Sequence, residues 1–101
     1  MSMNLNASVG DKIGDKRIDL WQTPTYISYM CCVDDEGFIK GELKGKEAKR
    51  ALNAYCCWVK EQLNGKWSDS ESYEYMKKNI EGHVIEIRKH IKDKKLKVWV
   101  S

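Results

Sequence analysis

No stretch of this chain approaches the ~20 consecutive apolar residues that a bilayer-spanning helix needs, so no membrane segment is expected. The opening residues, MSMNLNASVGDKIGDK, lack the apolar core of a secretory signal. The cytoplasm is therefore the expected location, and its reducing conditions keep thiols free. Catalytic fingerprints are also missing. There is no Gly-rich phosphate loop, no H-E-x-x-H pair and no nucleophile elbow. The acids are scattered: Asp34, Asp35 and Glu36 read as a turn, and Asp69, Glu71 and Glu74 favour a helix start. With no acid, base and nucleophile brought together, the sequence points away from an enzyme and implies no cofactor.

Four cysteines come as two adjacent pairs, Cys31-Cys32 and Cys56-Cys57. Neighbouring residues on a strand point to opposite faces, and on a helix they diverge by about 100°. Zinc wants four converging ligands, commonly from C-x₂₋₄-C knuckles, so adjacent pairs fit it poorly. A disulfide between one pair and the other is geometrically open but is disfavoured by a reducing compartment. The plain reading is that Cys31 and Cys56 are small core residues. His83, Glu86 and His90 share one side of a helical segment, the spacing a metal would use, but two separated histidines there read as ordinary flanking residues. No metal site is expected.

The pattern along the 101 residues suits one globular domain. Residues 1–15, rich in Asn, Ser, Gly and Asp, read as a flexible N-terminal arm, and residues 16–101 as a single domain. RIDLWQ alternates until Thr23-Pro24, and TYISYMCCV has the β-branched and aromatic content of a strand. Asp34 to Gly37 is turn chemistry, and FIKGEL returns as the second arm of a hairpin. From Gly45, Ala48, Leu52, Tyr55, Cys56, Val59 and Leu63 recur at helical spacing up to Asn64-Gly65. A second helix is predicted from the capping-box pair Ser68 and Glu71, with the stripe Tyr73, Met76, Ile80, Val84, Ile87 and Ile91. KLKVWVS then alternates, with Leu96, Val98 and Val100 on one face. The predicted fold is α+β, order β-β-β-α-α-β: an antiparallel sheet of about four strands with two helices on one face.

Charge and aromatics suggest a working surface. Residues 88–97 carry six basic side chains against Asp93, a net +5, while the whole chain totals +3 and the remainder is therefore −2. On the predicted strands, Trp21, Tyr26, Met30, Cys32 and Trp99 point away from the helices, rimmed by Arg17, Lys95 and Lys97. An apolar patch with a polar rim marks a partner site. The competing arrangement lays residues 1–15 across this face and hides it. Because Trp, Tyr, Met and Arg are enriched in interface cores, the sequence favours a small non-catalytic protein-binding module, of inhibitor or adaptor type, with homodimerisation through the sheet as one form of it. The alternative is a nucleic-acid binder that stacks bases on the same aromatics and holds phosphates with segment 88–97. Its weakness is the small total charge. A further alternative is a small-ligand or nucleotide sponge at an oligomer interface, for which no ligand fingerprint exists.

Overall fold

The computed structural model describes residues 4–11, 15–21, 23–33, 36–38 and 40–101. Its elements are β1 (Leu5–Val9), β2 (Lys16–Ile18), α1 (Thr25–Cys31), β3 (Glu42–Lys44), α2 (Gly45–Asn64), α3 (Tyr73–His90) and β4 (Leu96–Val100). The four strands form one antiparallel sheet in the order β2-β1-β4-β3. The architecture is the predicted α+β domain, with the strands and two long helices in the predicted order and the short helix α1 inserted between the second and third strands.

Register decides which side chains meet the helices. Leu5 pairs with Val100, Ala7 with both Val98 and Ile18, and Leu43 with Val98. Directly paired residues share a face, so Leu5, Ala7, Ile18, Leu43, Leu96 and Val98 form one apolar surface, and all six are buried. The inward set Leu96, Val98 and Val100 is as the alternation predicts. Helix α2 packs across β3 and β4, where Ala48 and Ala51 let the helix backbone approach the sheet and Leu52, Tyr55 and Val59 fill the space. The corner between β3 and α2 is made by Gly45, whose φ of 57° suits a residue without a Cβ. Helix α3 lies beside α2 and reaches β2.

Four local expectations change. Residues 5–9, read as part of an arm, are the inner strand β1, hydrogen-bonded on both sides. They lie within the sheet instead of across it. The strand predicted over TYISYMCCV is mostly α1. Ile27, Ser28, Cys31 and Cys32 are the buried residues, a three- and four-residue spacing that belongs to a helix. Pro24 stands at the N-cap, and its carbonyl accepts the first helical bond from the Ser28 N–H at 3.0 Å. Thr23 and Ser28 hydroxyls bond to each other beneath it. Burial of this face outweighs the β-propensity of the residues. The expected capping box is not formed either. Ser68 Oγ donates to the Gly65 carbonyl at 2.6 Å inside the connecting turn, and α3 begins later, at Tyr73. Of the predicted hairpin, the first arm is largely α1 and the second shortens to Glu42–Lys44 and pairs with β4; Gly37 takes a positive φ of 88°, and Asp34 and Asp35 lie outside the described residues.

A partly buried polar contact joins the layers: the Trp21 backbone N–H donates to the Tyr55 hydroxyl. Tyr55 is fully buried, and burial pushes its phenol well above the usual range. Tyr55→Phe should therefore cost about 0.5–1.5 kcal/mol in a chemical melt, the net worth of a lost hydrogen bond whose donor is partly buried. Leu52→Asp and Ile80→Asp place an unpaired charge among fully buried residues and should each abolish the cooperative transition. Removing residues 1–9 deletes an inner strand and should do the same; a truncated chain that melts as the full one does would contradict the assignment of β1.

Candidate protein-binding groove

The residues predicted to make one sheet-face patch lie in separate places. Arg17, Lys95, Lys97 and Trp99 do gather on the side of the sheet away from the helices. There one row across the strands reads Arg17, Ser8, Lys97, Lys44, and the next reads Asn6, Trp99, Glu42. Trp21 follows β2 and is half-buried against the core, its ring 6.4 Å from that of His83. Tyr26 and Met30 belong to α1, which packs on α2. Met30 is exposed there, and the Tyr26 side chain lies outside the described residues. The aromatic and Met patch fails because it required TYISYMCCV to be a strand.

The sheet face is instead polar and largely bonded within itself. Arg17 Nη2 donates to Asn6 Oδ1 at 3.0 Å, and Lys97 Nζ donates to the Asp11 carbonyl at 2.6 Å. Lys95 Nζ lies 3.1 Å from Asp11 Oδ1, and Lys44 Nζ lies 3.7 Å from Glu42 Oε1. Trp99 is half-buried in this setting.

The unsatisfied apolar surface is on the helices. Of the six residues in the α3 stripe, only Ile80 and Ile87 are fully buried; Tyr73, Met76, Val84 and Ile91 are half-covered. Ile85, one position off the stripe, is 57% exposed. Between α3 and the second half of α2 runs an open groove of about 650 Å³. Val59, Ile80 and Ile87 form its floor, and Cys56, Leu63, Tyr73, Val84, Ile85 and Ile91 its apolar walls. Three cations, Lys60, Lys77 and Arg88, stand around it with one acid, Glu81. Among the described residues none of the three pairs with a carboxylate, whereas Lys40, Lys44, Lys89 and Lys95 each do. Lys77 Nζ rests 5.8 Å from the centre of the Tyr73 ring. A smaller cavity of about 180 Å³ lies between the ends of β1 and β2, lined by Asn4, Arg17, Asp19 and Trp21 among others.

The sequence carried part of the signal for this groove, because Ile85 is an apolar residue about 100° around the helix from Val84 and outside the α3 stripe. Arg88 was visible only as part of a basic run, and Lys60 and Cys57 only as solvent-facing positions of α2. The pair Glu86 and His90 forms a helical contact of 3.2 Å between Oε1 and Nε2, while His83 turns to Trp21, so the three do not converge. Among the described residues no three His, Cys, Asp or Glu side chains converge as metal ligands would. No helix among them is long and apolar enough to cross a membrane.

All four cysteines are free thiols. Burial pushes Cys31 up to about 11 and Cys32 up to about 12, and Cys56 is also raised by burial, partly offset by Arg88. Only Cys57 is exposed, on the groove wall. A thiol reagent at neutral pH should thus modify Cys57 first and half-buried Cys56 more slowly, with Cys31 and Cys32 reacting at the rate of unfolding. Cys31 and Cys32 keep their protons in the folded chain above the ordinary value of 9.0. Their contribution to stability is complete below pH 9 and is lost as pH rises through the folded values near 11 and 12. Denaturant midpoints should fall over that window, and less steeply in a Cys31→Ala, Cys32→Ala variant.

A comparison with protein-family models, curated proteins and solved structures finds no match for this chain.

Proposed function

We propose that this chain is a small non-catalytic protein-binding module that docks its partner in the groove between α2 and α3. The observation that supports it is the half-covered α3 stripe. A helix of 18 residues that buries only two side chains fully leaves apolar surface that a partner would remove from water. The floor is built from rigid core residues, which lowers the ordering cost of binding. A module of this kind acts by blocking or bridging a larger machine, as an inhibitor or adaptor does, and cytoplasmic conditions would keep its four thiols reduced. The nucleic-acid reading draws less support, since Arg17, Lys95 and Lys97 are already engaged on the sheet face.

The test uses Cys57 as a handle. A photo-activatable crosslinker attached to its thiol should trap the partner in lysate of the source cell. Ile85→Lys, a change at an exposed position, should abolish the adduct and leave the melting curve unchanged. Trp99→Ala should leave the adduct intact. An adduct that survives Ile85→Lys, or one replaced by salt-sensitive oligonucleotide binding that depends on Lys95 and Lys97, would overturn the proposal.

A further inference from the structure

Resting on the groove as the docking surface, we infer that its occupant is a single amphipathic α-helix, with acidic residues flanking its apolar stripe, from a different protein. The form of the backbone comes from hydrogen bonding. Both walls of the groove are helices whose interior N–H and C=O groups are satisfied within the helix. The groove thus offers no free backbone edge of the kind that recruits an extended strand. A segment entering it must satisfy its own backbone, and a helix does so. Length agrees: the α3 wall from Tyr73 to Ile91 spans about 27 Å, and the α2 wall from Asn53 to Asn64 about 17 Å, at 1.5 Å per residue. About three to five helical turns would lie along it. An open channel of this length also does not enclose a small molecule as ligand pockets do.

The charge of the occupant comes from the rim. Lys60, Lys77 and Arg88 face the groove without a carboxylate partner among the described residues, opposed only by Glu81. Carboxylates at both edges of a bound stripe would meet them, which gives orientation and a faster encounter. The same rim excludes a second copy of this chain. Two grooves placed face to face would bring three cations of each copy together with a single acid apiece, and like charges across an interface repel.

The experiment uses synthetic helical peptides of about 14 residues, a length of about 21 Å, and the full-length protein. One peptide carries Leu at i, i+3, i+4 and i+7 with Glu at the flanks; a second replaces every Glu with Lys; a third keeps Glu and replaces Leu with Ser. Binding is followed by fluorescence anisotropy and stopped flow. The Glu peptide should bind with an association rate that falls as salt rises, and the other two should not bind. The double variant Lys77→Glu, Arg88→Glu, made at exposed positions, should slow association of the Glu peptide by about tenfold or more and favour the Lys peptide. Equal binding of the Glu and Lys peptides would overturn the acidic assignment. If no peptide binds while Ile85→Lys still removes the Cys57 adduct, the helix assignment fails and the groove reading stands; if the adduct is also unaffected, both fail. Dimerisation of the wild-type chain abolished by Ile85→Lys would identify a second copy as the occupant, and displacement of the Glu peptide by stoichiometric oleate would identify a lipid. Either result overturns the inference.

Discussion

Everything in this molecule depends on the pairing of β1 with β4, which joins the two ends of the chain at the centre of the sheet. Leu5 faces Val100 and Val9 faces Leu96, and beyond the strands the Asn4 and Ser101 backbones bond to each other in both directions at 2.8 and 3.1 Å. Without this ladder β2 and β1 part from β4 and β3, and the apolar face beneath the helices is incomplete. The loop closure it requires is nearly the full chain length, so its entropy cost must be met by burial of the whole core at once. Ala7 and Ser8 suit the position. Both are small and buried, Ala7 on the inner face of the sheet and Ser8 on the opposite face.

Placing α2 across β3 and β4 settles the fate of α3. The inner surface of the sheet is occupied chiefly by α2, so α3 packs mainly on β2 and the flank of α2. Its stripe spans the length of the helix, but its neighbours do not. Ile80 and Ile87 reach the core, and Val84, Ile85 and Ile91 remain to line an open channel. The T-shaped contact of Trp58 with Trp67, 5.4 Å between ring centres, pins the connection between the two helices and helps fix how far they stand apart. Charge then separates the two outer surfaces. On the sheet the cations are bonded to Asn6, Asp11 and Glu42, while around the groove they have no carboxylate partner among the described residues.

The sequence was legible where periodicity was carried by large side chains. Leu96, Val98 and Val100, the α2 positions from Ala48 to Leu63, and the α3 stripe were all readable at their true spacing, and these carry most of the core. It was illegible where small residues do the same work. LNASV alternates correctly as Leu5, Ala7 and Val9, but Ala and Ser give so weak a contrast that the strand resembles a polar arm. The segment TYISYMC misled in the opposite way. Its β-branched and aromatic residues favour a strand locally, whereas the joint burial of Ile27, Ser28, Cys31 and Cys32 with Met30 exposed follows a helix. That one inversion scattered the expected surface patch, since the placement of Tyr26 and Met30 beside Trp99 depended on it. The groove was half visible: the stripe was plain, but how much of it the neighbours would cover is a property of the sheet's width, which periodicity does not encode.

The central claim is that the apolar channel between α2 and α3 is the surface on which this protein works. The most direct measurement is a titration of the isotope-labelled chain with the acidic amphipathic peptide, followed by amide and methyl shifts. Perturbations confined to residues 53–64 and 73–91, with the methyls of Ile85, Val84 and Ile91 moving most, are the predicted result. Perturbations centred on Arg17, Lys97 and Trp99, with the Ile85 methyl unmoved, would contradict the account.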